Sequence, residues 1–151
     1  MAEHKRFIPI PGGILMVLRQ GDDVFAHLEK LIRDEDIPAA SIRGFGFAGA
    51  IRFGFFDFAR RDYDPRDFTD LEVTGLTGTL AWKDGKPAIH AHASAAGRDF
   101  LAVGGHLLGL TVGRGSFEIT ITVHDRRLER HFEEDIGANV LRLGSSETGQ
   151  M

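Results

Sequence analysis

His90 and His92 stand two apart in the run Ala88-Ile89-His90-Ala91-His92. In a β-strand successive side chains alternate faces, so both imidazoles point the same way and form a chelating pair. His106 follows the step Gly104-Gly105, whose backbone freedom lets the chain turn tightly. A third imidazole brought to the pair gives three neutral nitrogen ligands with an open fourth position, the arrangement of a zinc-type site that still binds water or substrate. Taken alone, a His-x-His pair more often means surface or hydrogen-bonded histidines. The chain has no cysteine, so disulfides and thiolate ligands are excluded and a metal has only His, Asp, Glu and water to sit on.

Catalysis at such a metal asks for a general acid or base beside it and an anchor for an anion. Glu118, on the polar face of its strand, is the first candidate. Glu72 is the second, because its strand is joined through an Asp-Gly hairpin to the histidine strand. Arg43, on a glycine-rich strand, is the candidate anchor. For each the plainer reading is a solvated or ion-paired strand residue. His124 and His131 fall outside the motif and read as surface; His27 sits on a helix and His4 near the start.

The elements that must position these residues follow from periodicity. Asp22 to Asp34 reads as a helix: Asp22 or Asp23 caps it, Phe25, Leu28, Leu31 and Ile32 form one apolar stripe, and Pro38 stops it. Arg6 to Ile10 and Ile14 to Arg19 read as strands around a Pro11-Gly12-Gly13 turn. From Ala39 to Phe58, interleaved glycine and phenylalanine predict strongly curved sheet, packed in the core or at a subunit interface. That stretch lacks the interleaved basic residues of a single-strand nucleic-acid platform, offering only Arg43 and Arg52.

Leu71 to Trp82 reads as a strand, Lys83-Asp84-Gly85-Lys86 as a hairpin turn, and Pro87 to Ser94 as the returning strand with the histidine pair. After a turn at Ala96-Gly97-Arg98-Asp99, Gly104 to Val112 carries the third histidine. Phe117, Ile119, Ile121 and Val123 alternate with Glu118, Thr120, Thr122 and His124 in a period-two strand. A strand near Leu128 to Phe132 leads into an apolar segment, Ile136 to Leu143, and residues 144–151 read as a frayed tail. The sum is about eight strands and one helix: an α+β class with a curved, largely antiparallel, barrel-like sheet. No repeat or low-complexity block marks a boundary, so 1–151 reads as one domain with its core at about 6–143. Such a sheet exposes edges and an apolar face, which oligomerisation covers.

The net charge of −4 and pI near 5.9 argue against nucleic-acid binding by bulk electrostatics. Arg60-Arg61 is followed by Asp62 and Asp64, and Arg126-Arg127 lies among Asp125, Glu129, Glu133 and Glu134, so neither makes a one-sign patch. No apolar stretch is long enough to span a bilayer and the first residues lead into no signal-peptide core, which predicts a soluble, cytoplasmic protein.

Five segments together resemble the PPC domain, the plants-and-prokaryotes conserved domain. They are Gly21-Asp22-Asp23-Val24 opening a helix, Leu71 to Leu80 with its Thr74-Gly75-Leu76-Thr77-Gly78 centre, Asp84 to His92, Gly104-Gly105-His106-Leu107 and Phe117-Glu118-Ile119. The likeness covers about Arg6 to Leu143. It implies one helix over a curved antiparallel sheet, assembly as a homotrimer, and His90, His92 and His106 at the positions that carry metal in prokaryotic members. Plant members add AT-hooks, Arg-Gly-Arg-Pro arms that enter the minor groove, and the family is described as DNA-binding for that reason. Here the Arg-Gly steps continue as Phe45 and Ser116, with no basic arm. The fold is also similar to that of acetolactate decarboxylase, a zinc enzyme with three histidine ligands.

Two functions follow as expectations. One is a trimeric metal-binding regulatory or interaction protein of the DNA-binding PPC type without an AT-hook. The other is a small zinc-dependent metalloenzyme, lyase- or decarboxylase-like, acting on a carbonyl or carboxylate compound, with a small molecule or anion at the metal.

Overall fold

The computed structural model describes residues 3–144; of the segment expected to fray, 145–151 lie outside the described residues. Strands β1 (Phe7–Ile10) and β2 (Gly13–Arg19) form the first hairpin, and β2 buries Ile14, Met16 and Leu18 by strict alternation. Helix α1 (Val24–Asp34) begins at Asp23, whose carboxylate accepts the Ala26 N–H at 2.9 Å. Asp22 is not the cap. It accepts the Arg6 Nε–H at 2.6 Å and the Arg19 backbone N–H at 2.8 Å, tying the helix entry to the first hairpin. The helix buries Val24, Leu28, Leu31 and Ile32 and packs on the sheet; the Trp82 indole donates to the Ile37 carbonyl just beyond it.

The body of the sheet is four long strands: β3 (Ala39–Asp57), β4 (Asp62–Lys83), β5 (Lys86–Ala96) and β6 (Ala102–His124). Two short ones follow, β7 (Glu129–Glu133) and β8 (Ala138–Arg142). Strands account for 68% of the described residues, so one helix lies on a predominantly β molecule. The pairings β3–β4, β4–β5, β5–β6 and β6–β3 close a ring, while β1–β2 continues from β6 and β7–β8 from β4. The sheet is therefore curled but is not a clean barrel. The register slips of β3 against β6 near Gly46, Ala48 and Arg52 supply the bending.

Two expectations change here. β4 starts at Asp62, well before Leu71. The stretch Asp62 to Asp70 pairs only with β3, as an outlying ribbon: Phe68 packs on Phe53 and Tyr63 on Phe56, while on the exposed side Arg52 makes a two-pronged pair with Asp67 at 2.7 and 2.8 Å and Arg60 bridges Asp57 and Asp64. Pro65 is tolerated because β4 has a neighbour on one side only at that point. Secondly, Gly104-Gly105 is not a turn. It lies within β6, where a Cβ at Gly104 would stand 2.6 Å from the Ala93 carbonyl oxygen, so the glycine allows close strand approach.

Candidate metal centre

On β5, Ala91, Ala93 and Ala95 face the core and are buried, so His90 and His92 occupy the opposite face. The partner strand decides where the third ligand lies. His92 and His106 are directly opposed in the β5–β6 register, and directly opposed residues share a face. The trio is thus assembled by strand pairing, with no loop involved.

The three rings form a nearly equilateral triangle with centroids 5.2, 5.2 and 5.3 Å apart. One ligand nitrogen from each can be chosen so that all lie within 4.8 Å of one another. A tetrahedral ion with metal–nitrogen bonds near 2.0–2.1 Å separates its ligand atoms by about 3.3–3.4 Å. The Nε2 atoms of His90 and His92 are already 3.3 Å apart. The widest pair needs to close by no more than roughly 1.5 Å, a movement that imidazole rotation supplies. Three histidines suit zinc first and other late transition metals next, so the donor set fits.

Electrostatics favours the neutral form of His90 and His106. Burial pushes the His106 imidazole down to about 4, helped by the charges of His90, His92 and Arg130. Burial, then Arg130 and His92, also lowers His90. Neutral imidazole is the ligand form.

Two neighbours were not legible as site residues. The Tyr63 ring stacks on His106, with centroids 4.3 Å apart and planes 17° off parallel. It reaches there across Gly54, which is paired with His106; a Cβ at Gly54 would meet the Tyr63 ring at 2.9 Å. Arg130, on β7, is the other. It is only 9% exposed, its Nη2 donates to Thr79 Oγ1 at 2.6 Å, and Thr79 lies directly opposite His90. A signal existed: Leu128, Arg130 and Phe132 share strand parity, which puts an arginine in an apolar row.

His90, His106, Tyr63 and Arg130 line one side of a cavity of ≈ 600 Å³, walled by Phe56, Phe58, Ile89, Phe132 and Val140. The candidate acids and anchor lie elsewhere within this chain. Arg43 and Glu118 line a separate groove on the β3–β4–β6 surface, near Phe45 and Thr74. Glu72 lines a third hollow with Arg98 and Arg114, opposite Ala96 and roughly 20 Å of strand from Thr79. Of the remaining histidines, His124 hydrogen-bonds Ser41 at 3.0 Å and His27 contacts the Asp23 carbonyl at 2.9 Å. No helix among the described residues is long and apolar enough to cross a membrane.

The chain's relatives carry the same architecture. A protein from Ralstonia eutropha JMP134 named a "putative DNA-binding protein" is 51% identical, with TM-score 0.90 over 92% of this chain and 96% of its own. A metal-containing protein from Archaeoglobus fulgidus is 27% identical, with TM-score 0.77 over 91% and 98%. Acetolactate decarboxylase from Bacillus subtilis subspecies spizizenii, at 16% identity and TM-score 0.58 over 82% of this chain and 56% of its own, shares the fold alone. Among proteins with curated descriptions, none matches the chain. Residues 12–125, which include all three histidines, match the Plants and Prokaryotes Conserved (PCC, or PPC) domain, and it is to this family that the chain belongs.

Proposed function

We propose that the protein is a metal-binding PCC-domain protein that holds a divalent transition ion, zinc in the first instance, on His90, His92 and His106. The observation that carries this is the convergence of three imidazole nitrogens within 4.8 Å on a rigid sheet face. The metal-containing relative supports it. Three protein ligands leave a position open, where the ion would act as a Lewis acid or hold a small molecule. Protein purified without a tag or chelator should carry near-stoichiometric transition metal by elemental analysis, and His92→Ala should lose it. A metal-free wild type that also refuses added zinc refutes the reading.

The working unit is proposed to be a homotrimer. Phe45, Phe55 and Phe100 are 55%, 76% and 90% exposed, apolar ring surface that neighbouring copies would cover. Light scattering after size exclusion reads the mass directly.

Two roles are compatible with such a site. The regulatory, DNA-binding role rests on the relatives' names. Against it, several arginines are already matched: Arg52 by Asp67, Arg60 by Asp57 and Asp64, and Arg127 by Glu129. A salt-dependent titration decides, and no binding at low salt ends the idea. The enzymatic role, on a carbonyl or carboxylate compound, is favoured by the cavity that opens beside His90 and His106. Acid–base duty for Glu118 or Glu72, or anchoring by Arg43, would require delivery from a neighbouring copy. A cytoplasmic location remains part of the proposal.

A further inference from the structure

Arg130 is the one charged side chain buried among the described residues, and its Nε–H has no partner. A guanidinium in a low-dielectric wall is costly unless an anion meets it, and an unmatched buried donor adds to that cost. Among the described residues no carboxylate pairs with it. The other cations on the cavity wall are already matched, Lys83 by Asp84 at 2.6 Å and Arg61 by Glu134 at 3.8 Å. The cavity wall therefore carries one cation without a carboxylate partner, Arg130, and one acid, Asp62, among aromatic and aliphatic side chains.

We propose that this cavity takes an organic monocarboxylate with an apolar, ring-sized body, its carboxylate on the Arg130 guanidinium and its body against Phe56, Phe58 and Phe132. A guanidinium fork matches a carboxylate's two oxygens, and Thr79 already holds the fork in place at Nη2. A cavity of ≈ 600 Å³ is of the size that encloses small organic ligands. One charge and few polar partners suit a monoanion better than a phosphate dianion, since Asp62 also stands on the wall. The proposal rests on the metal reading only for what a second polar group on the ligand would meet; the guanidinium contact is independent of it.

The test is a calorimetric or NMR titration with 3-phenylpropionate and its uncharged isostere 3-phenylpropanamide, on the full chain with and without one equivalent of zinc. The acid should bind about tenfold or more tightly than the amide. Arg130→Met should abolish that preference while zinc is still taken up at one equivalent, and Arg130→Lys should keep part of it. Equal binding of acid and amide, binding of neither, or an undiminished preference in Arg130→Met overturns the proposal. Should Arg130→Met fail to fold, the acid–amide comparison on the wild type and Arg130→Lys still decides. A wild type that takes no zinc refutes the metal reading, and the zinc-free titration then judges the carboxylate site by itself.

Discussion

Gly78 on β4 faces Ala91 on β5, and a methyl group on its Cα would stand 2.3 Å from the His90 carbonyl oxygen and 2.9 Å from Ala91 Cα and Cβ. None of these atoms belongs to a side chain that can swing aside. An ordinary contact begins at 3.4 Å, so Gly78→Ala must part the strands by about 1 Å. At that spacing the neighbouring ladder hydrogen bonds are lost, at about 1 kcal/mol each for two of them, and residual overpacking adds about 1 kcal/mol. Against this stands a gain of about 0.4–1 kcal/mol from restricting the unfolded chain. The clash wins, and the net destabilisation is about 2–3 kcal/mol by urea unfolding. Because His90 and its opposite residue Thr79 flank the disturbance, zinc affinity should also fall by about tenfold or more in a competition titration. Gly75→Ala is the control: on the same strand, nothing lies within 4 Å of its Cβ and its φ is not left-handed, so the entropy gain stands alone. If Gly78→Ala is as stable as Gly75→Ala, the close-approach argument is wrong.

Gly54→Ala should cost less, about 1 kcal/mol, because its obstacles are the ends of Tyr63 and Leu108 side chains. Its signature is loss of the ring-current shift that Tyr63 imposes on His106; an unmoved His106 resonance in a folded variant refutes the stacking account. For Asp22, burial works against the charged form, but hydrogen bonds from Arg6 and the Arg19 N–H and the Arg6 charge outweigh it and hold the carboxyl below its usual range. A carboxyl depressed on folding stabilises above its unfolded pKa and loses that contribution as pH falls through its folded one. Wild type should thus exceed Asp22→Asn by about 1 kcal/mol at neutral pH. The gap should close below about pH 4, and a gap constant to lower pH counts against the ion pair.

Local chemistry made much of this fold legible. The Asp-Gly hairpin forms as its residues require, with φ of 50° at Asp84 and 75° at Gly85, and the helix lies where its cap and apolar stripe put it. The His90 and His92 pair follows from period two alone. What composition could not convey is register. His106 meets the pair because it is opposite His92, a long-range fact that spacing does not contain, and the two glycines before it, turn formers by composition, lie inside the strand. The start of β4 is hidden because Asp62 to Asp70 carries only two apolar anchors, Tyr63 and Phe68, among charged residues paired across a two-stranded ribbon, too few to show a period of two. Face and neighbouring strand point to Glu118 and Glu72 as acids, but strands this long and curved carry one face into several separate hollows.

Arg130 and the histidine trio pose an electrostatic conflict that bears on both proposals. A buried guanidinium close enough to depress His90 and His106 also repels a divalent ion on those rings. Without an anion between them, a bound metal and the guanidinium repel each other. A monocarboxylate in the cavity between them offsets both charges at once, so on these assignments metal and carboxylate strengthen each other's binding. Linkage makes that coupling equal in the two directions: whatever factor zinc adds to the acid's affinity, the acid must add to zinc's. The neutral amide, lacking the charge, should show little of it. The coupling ties the guanidinium of Arg130 on β7 to the open position of a metal held on β5 and β6, two features that come from different strands.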